Sequence, residues 1–425
     1  MSSAVALAVI VAALGYFVDI FDLLLFAIVR IPSLTDLGVP AAQAKDVGVR
    51  LDLVIQTTGL MLGGIVWGVL GDKRGRLSVL FGSIVCYSLA NVLNAFVADV
   101  PPDGTLGFLH AVGLGTALRQ YEVLRFVAGF GLAGELGAGI TLVSELMGKE
   151  HRGIGTTIVA SVGVLGAVAA ALIGELLPWR TAYLVGGGLG LALLFLRIGV
   201  VESGMFQMVR DEQDSVRGAI WHLLWPPKRF ARYLAVILLG LPIWFSVGVL
   251  VKYAPELGTS LGIPKDQLLT PGRSIMWCYM GLAIGDLSSG LLSQRLHSRR
   301  HAVVTFHVIT AVAVALYFVV VPRPAWMSSA LMLLLGFGIG YWAVFVTMAA
   351  EQFGTNLRAT AATTAPNFVR WIGAAGSAIA WESLEPHLGR WQSAALVGGV
   401  LIVVAIAACL SLRETFGISL EYVES

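Results

Sequence analysis

The sequence predicts an all-α membrane protein of twelve transmembrane helices, arranged as two pseudo-symmetric six-helix bundles. Three observations carry this. Apolar residues make up 57% of the chain and charged residues 13%, with a mean hydropathy of +0.83, whereas a soluble domain carries roughly 25% charged residues. Apolar runs recur along the chain, each close to the roughly 20 residues that a helix needs to cross the hydrocarbon core. A short cationic turn between two such runs, Gly68-Val69-Leu70-Gly71-Asp72-Lys73-Arg74-Gly75-Arg76, returns in the second half as Gly290-Leu291-Leu292-Ser293-Gln294-Arg295-Leu296-His297-Ser298-Arg299. Such a return is the mark of an internal duplication.

The spans are expected at 6–30, 51–70, 77–97, 121–143, 154–176 and 180–200 in the first half. In the second they fall at 233–253, 274–292, 302–321, 325–348, 360–380 and 393–412. The first run follows no basic segment and contains two aspartates, so it reads as a membrane helix rather than a signal peptide. The polar stretch 201–232, with Arg210, Asp211, Glu212, Asp214, Arg217 and Pro226-Pro227, reads as a cytoplasmic linker between bundles at 1–200 and 233–425. Lysine and arginine are concentrated in the turns at 71–76 and 293–301, which places those turns and both termini in the cytoplasm. The segment 98–120 is longer than a turn requires and reads as a tolerated insertion before it reads as a lid.

Several function classes are excluded. A net charge of +2, with the basic residues in short turns, gives no face for nucleic acid. Cys86, Cys278 and Cys409 lie inside apolar runs and suggest neither disulfides nor a metal site. There is no phosphate-binding loop, no HExxH helix and no nucleophile elbow, so neither an enzyme nor a cofactor is expected.

The informative residues are ionisable groups at membrane depth, each costing several kcal/mol unless paired or hydrated. They are Asp19 and Asp22 in the first span, Arg125 and Glu135 in the fourth, Asp286 in the eighth and Arg370 in the eleventh. Asp19 lies roughly 20 Å along its helix at about 1.5 Å per residue, and Asp22 follows one turn on, on the same face. Arg125 lies at a similar depth to Asp22 with opposite sign, so the two form either a proton-coupling pair or a static one. Glu135 near the midplane suits an interhelical bond or proton handling equally. Arg370 has no carboxylate beside it on its own helix, so a substrate anion or Asp286 is its expected partner. Asp286 reads first as a structural acid. Tyr341, Trp342 and Trp371 are candidate walls for a substrate, and Gln56 and Asn367 candidate polar contacts. Glycines at 129, 131, 134, 137 and 139, and at 155, 163 and 166, permit close helix packing.

In order and spacing these residues resemble the major facilitator superfamily, in particular its sugar-porter and metabolite–proton symporter branches. Gly68, Asp72, Lys73, Gly75 and Arg76 match the first inner turn. Arg125-Phe126, Gly129, Gly131, Gly134 and Glu135 match the fourth helix, and Glu145 with Arg152-Gly153 the next inner turn. Glu351-Gln352-Phe353-Gly354-Thr355-Asn356-Leu357-Arg358-Ala359-Thr360 is similar to the second-half signature. Glu202-Ser203 and Glu414-Thr415 are similar to the ends of the two bundles. The resemblance implies the major facilitator fold, a bacterial inner membrane and a monomer. It makes Asp72, Arg76, Glu145, Arg152, Arg295, Glu351 and Arg358 salt bridges that close the cytoplasmic side, and Asp22 with Arg125 a proton-coupling pair; Asp19 and Glu135 are added to the proton-coupling set by their position at membrane depth.

Departures narrow the reading. Gln294 stands where the family has an aspartate, and Gly354, Val201 and Arg413 replace other typical residues. The fifth span lacks the proline–glycine stretch of drug–proton antiporters. The seventh offers mainly Pro242, Trp244, Phe245 and Ser246, a poor grip for sugar hydroxyls. The expected function is secondary active transport of a small polar metabolite, an organic anion or zwitterion, by alternating access in symport with protons. A facilitator or symporter for a neutral sugar or polyol is the alternative, and a non-transporting receptor another. Substrate, protons and the lipid bilayer are the expected partners.

Overall fold

The structure, a computed structural model, describes residues 3–74, 76–134, 152–202, 221–321 and 323–417. Helices dominate, and no strand occurs among the described residues. The first half comprises α1 (Ser3–Asp36), α2 (Thr57–Arg74), α3 (Arg76–Asn94), α4 (Ala117–Leu132), α5 (Arg152–Leu176) and α6 (Trp179–Glu202). The second comprises α7 (Pro227–Phe245), α8 (Pro271–Leu296), α9 (Arg299–Val319), α10 in two pieces (Ala325–Ile339 and Trp342–Glu351), α11 in two pieces (Thr355–Arg370 and Ser377–Leu388) and α12 (Arg390–Ser411). Eight segments, covering α1, α2, α6 to α10 and α12, are long and apolar enough to cross a membrane. The first piece of α11 falls short because its turns carry Thr360, Thr364, Asn367 and Arg370. A helix that polar must face something other than lipid.

The duplication is visible in the packing. In the first half α1 lies against α5 and α6, α2 against α4, and α3 against α4 and α6. In the second, α7 lies against α11 and α12, α8 against α10, and α9 against α10 and α12. The α2–α4 seam closes by glycine: a Cβ on Gly59 or Gly63 would strike the carbonyls of Phe126 or Phe130, and one on Gly129 that of Gln56. The α8–α10 seam repeats this in register, with Gly281 and Gly285 against the carbonyls of Leu333 and Phe337, and Gly336 against that of Cys278. The halves meet where α5 packs on α8 and α2 on α11.

Three departures from uniform helix concern the site. Pro242 in α7 and Pro366 in α11 are each followed within two turns by a π-helical stretch, Ser246–Val251 and Trp371–Gly376. Proline donates no backbone hydrogen bond and disturbs the helix around it. The tenth span, expected unbroken over 325–348, is interrupted at Gly340 and Tyr341. Gly340 presses on the backbone of Gly285 and Asp286 in α8, and that close crossing opens the helix.

The segment 98–120 is tied to itself and to α4. Gln120 donates to the carbonyls of Ala98 and Leu114, and Asp99 accepts from the N–H of Ala117 at the start of α4.

Candidate functional site

Of the charges predicted at membrane depth, Asp19, Asp22, Arg125, Asp286 and Arg370 are buried, and they gather in two groups. The first joins α1, α3, α4 and α6. Asp22 and Arg125 are both wholly enclosed, and Arg125 is the cation whose charge Asp22 feels. No contact ion pair links them. Arg125 Nη2 instead donates to Asn91 Oδ1 at 2.6 Å, with its guanidinium 4.9 Å from the Tyr183 ring centre and 6.0 Å from that of Phe26. Among the described residues neither Asp22 oxygen has a hydrogen-bond partner within 3.5 Å and at a good angle, and the carboxyl fits because Gly186 of α6 has no side chain where Oδ1 lies. Asp19 is buried one turn earlier on α1. Glu135 lies outside the described residues.

The second group lies where α11, α7, α8, α10 and α1 converge. Arg370 is 2% exposed. Its guanidinium sits 5.3 Å from the Trp244 ring centre and 5.6 Å from that of Trp342, a cation beside two indoles that pack edge-to-face on each other with centres 6.3 Å apart. Arg370 Nη1 reaches Asn367 Oδ1 at 3.5 Å. It forms no contact ion pair with Asp286, whose Oδ1 accepts from the N–H of Ala343 at 3.1 Å. Asp286 therefore caps the second piece of α10. Tyr16 crosses from α1, in space that Gly163 leaves open.

The remaining candidates divide. Trp371 Nε1 donates to Thr58 Oγ1 at 3.1 Å, and Asn367 Nδ2 reaches the carbonyl of Ala133 at 3.5 Å, so both bridge the halves beside Arg370. Gln56 Nε2 reaches the carbonyl of Leu23 at 3.5 Å. Tyr341 turns away into the second half, where its hydroxyl meets the carbonyl of Leu239 and His307 Nε2, each at 3.1 Å. Trp244, Tyr16 and Asn91 join the groups without having been singled out from the sequence. Tyr16 had a signal, lying three residues before Asp19 on the same helical face.

One end of the molecule is clamped across the halves. At this end, called distal, α1 and α7 finish while α2 and α8 begin. Arg30 Nη2 lies 2.5 Å from Glu256 Oε1, with its guanidinium 4.2 Å from the Tyr253 ring centre. Lys252 pairs with Asp52 at 2.7 Å, both buried, and Lys45 with Glu385 at 2.6 Å. Thr270 donates to Glu175. At the opposite, proximal end the described contacts stay within the second half. Arg299, rather than the exposed Arg295, reaches Glu351 at 3.4 Å, and Thr415 donates to Glu351 at 2.7 Å. Glu145 and the side chains of Asp72, Arg76, Arg152 and Arg358 lie outside the described residues.

Comparison with known proteins agrees with this architecture. The profile of the Major Facilitator Superfamily matches residues 5–379. A probable 4-methylmuconolactone transporter of Cupriavidus pinatubonensis is 26% identical, over 96% of this chain and 90% of the relative. The 3-(3-hydroxy-phenyl)propionate transporter of Escherichia coli is 27% identical, over 84% and 83%. The crystal structure of a D-xylose–proton symporter superposes with a TM-score of 0.68 at 16% identity, covering 98% of this chain and all of that one. This last likeness is one of fold. With a family profile over most of its length, and described helices in two matching halves with buried charges at their junction, the chain belongs to the major facilitator superfamily, integral membrane proteins that transport small molecules.

Proposed function

We propose that this transporter carries small cyclic organic acids by alternating access, in symport with protons. One observation carries the reading: Arg370 is buried where the halves meet, beside the edge-to-face indoles of Trp244 and Trp342, with no contact ion pair among the described residues. A guanidinium so placed needs an anion, and its fork matches a carboxylate while the indoles accept a flat apolar body. The names of the two relatives, a muconolactone and a phenylpropionate transporter, favour the same chemistry. The residues around it that bridge the halves, Asn367 and Trp371, would sense the bound acid from both sides. Gln56 and Tyr341 support the site from behind, each bonded to a backbone carbonyl.

Asp22, with two unbonded oxygens beside Arg125, takes up the proton, and Asp19 carries the path toward Tyr16 and the acid. With the Lys- and Arg-rich proximal turns in the cytoplasm, the clamped distal end is the outer one, and the site is shut off from outside. In the opposite state the set Asp72, Arg76, Glu145, Arg152, Arg295, Glu351 and Arg358 would close the inner end. The setting is a bacterial inner membrane with both termini inside.

Proteoliposomes test this. Asp22→Asn should keep acid–acid exchange and lose accumulation driven by a pH gradient, whereas unchanged accumulation would remove Asp22 from coupling. Arg370→Ala should abolish exchange of benzoate-type acids, at a cost of about 2–5 kcal/mol in binding. Counterflow of xylose or a polyol with no response to acids would overturn the substrate class.

A further inference from the structure

Asp286 is poorly explained as a structural acid alone. It is 4% exposed. Its Oδ1 is committed to the N–H of Ala343, while Oδ2 makes no hydrogen bond. Leaving a buried carboxylate oxygen unpaired costs more than capping a half-helix returns, and an asparagine would cap as well. The duplication sharpens the point. Gly63 of α2 and Gly285 of α8 hold the same place in their seams, so Asp286 stands where the first half has Gly64. The space beside Gly64 is filled by Asn367. The acid is thus peculiar to one half and sits at the junction.

Its position relative to Arg370 is defined by one side chain. Trp342 carries the ring beside which the Arg370 guanidinium lies, and the next residue, Ala343, holds Asp286. Cation and acid therefore meet at neighbouring residues of α10, Arg370 at the Trp342 ring and Asp286 at the Ala343 N–H, yet they do not pair with each other. A flat molecule lying along Trp342 with its carboxylate on Arg370 would bring its far edge toward Asp286.

The geometry points to Asp286 Oδ2 as the acceptor for a hydrogen-bond donor on the substrate, which makes the preferred cargo a small planar acid that also bears a hydroxyl, amino or ring N–H group. This rests on the acid-binding reading of Arg370 given above. An acid without a donor would leave Oδ2 unpaired in the closed site, so discrimination comes from the unmet acceptor as much as from the bond itself. A hydrogen bond to a charged group is worth about 1.5–3 kcal/mol, enough for a preference of about tenfold or more.

The test is competition binding to the purified full-length transporter, with benzoate, 3-hydroxybenzoate, 3-aminobenzoate and 3-acetylbenzoate as probes. In the unaltered protein the hydroxy and amino acids should bind about tenfold or more tightly than benzoate. Equal affinity for all of them would overturn the assignment without recourse to any variant. Asp286→Asn keeps an oxygen for Ala343 and presents an amide N–H2 in place of Oδ2. It should erase the preference for donors over benzoate and improve 3-acetylbenzoate, which offers an acceptor. A uniform loss across the four probes would instead mark Asp286 as structural and sink the proposal. Arg370→Ala separates the two readings. If it binds benzoate like the unaltered protein, the anchor falls and the role of Asp286 with it. If benzoate depends on Arg370 but donors bring no advantage, only the Asp286 assignment fails.

Discussion

Gly186 shows how much of this site depends on atoms that are absent. Its missing side chain is what admits the carboxyl of Asp22 between α1 and α6. A methyl there would drive Asp22 toward Arg125 or force the helices apart. Gly186→Ala should therefore impair pH-driven accumulation while leaving acid binding at Arg370, in the other group, near normal. Parallel loss of both activities would argue for general unfolding instead. Charged residues were legible in the sequence because an ion in an apolar run stands out. Their company was harder to read. Trp244 and Asn91 are ordinary in composition, and only the helix crossings show that one stacks on Arg370 and the other takes the Arg125 hydrogen bond that Asp22 was expected to receive.

At the scale of elements, the start of α9 explains the sequence around Glu414. Its carboxylate accepts from the backbone N–H groups of Arg299, Arg300 and Phe416 and from the Ser298 hydroxyl, so the tail after α12 caps α9. Burial alone would push this carboxyl up; the Ser298 and backbone hydrogen bonds outweigh it and hold it at about 2, below the ordinary 4.5. A depressed value means that the stabilisation is fully present above about 4.5 and is lost as pH falls toward 2. Glu414→Ala should cost about 1 kcal/mol, the usual worth of a helix cap. Thermal unfolding of the two proteins should differ clearly at pH 7 and converge in acid; a gap that persists at low pH would rule out this cap as the cause. The broken α10 had no comparable signature. Gly338-Ile339-Gly340-Tyr341 sits in an apolar run, and hydropathy does not register a lost backbone hydrogen bond. The same blindness hid the outward turn of Tyr341 to His307.

At the scale of the molecule, the distal clamp ties the two halves together at one end. Asp52 and Lys252 form its buried member. Removing one partner of such a pair costs about 3–5 kcal/mol because the other charge is stranded, and opening the distal end rehydrates it. Lys252→Met should thus favour the distal-open state. Spin labels on Ala42 and Lys265, one in each half, should report a longer distance distribution; an unaltered distribution would deny the pair any role in gating. The duplicated halves were legible from the repeated turn because a polar break in apolar sequence survives divergence. The clamp was not, since Arg30, Lys45 and Lys252 read simply as loop cations and their acids lie hundreds of residues away in the other half.

The matched glycine seams carry a mechanical consequence. Where main chain rests on main chain, as along α2–α4 and α8–α10, there are no rotamers to rearrange and little compliance to absorb displacement. Between the halves the distal ion pairs and the Asn367 and Trp371 contacts run through side chains, which do have rotamers to rearrange. Strain imposed at the cargo therefore has one soft place to go, and each block should swing as a stiff lever while the junction gives way.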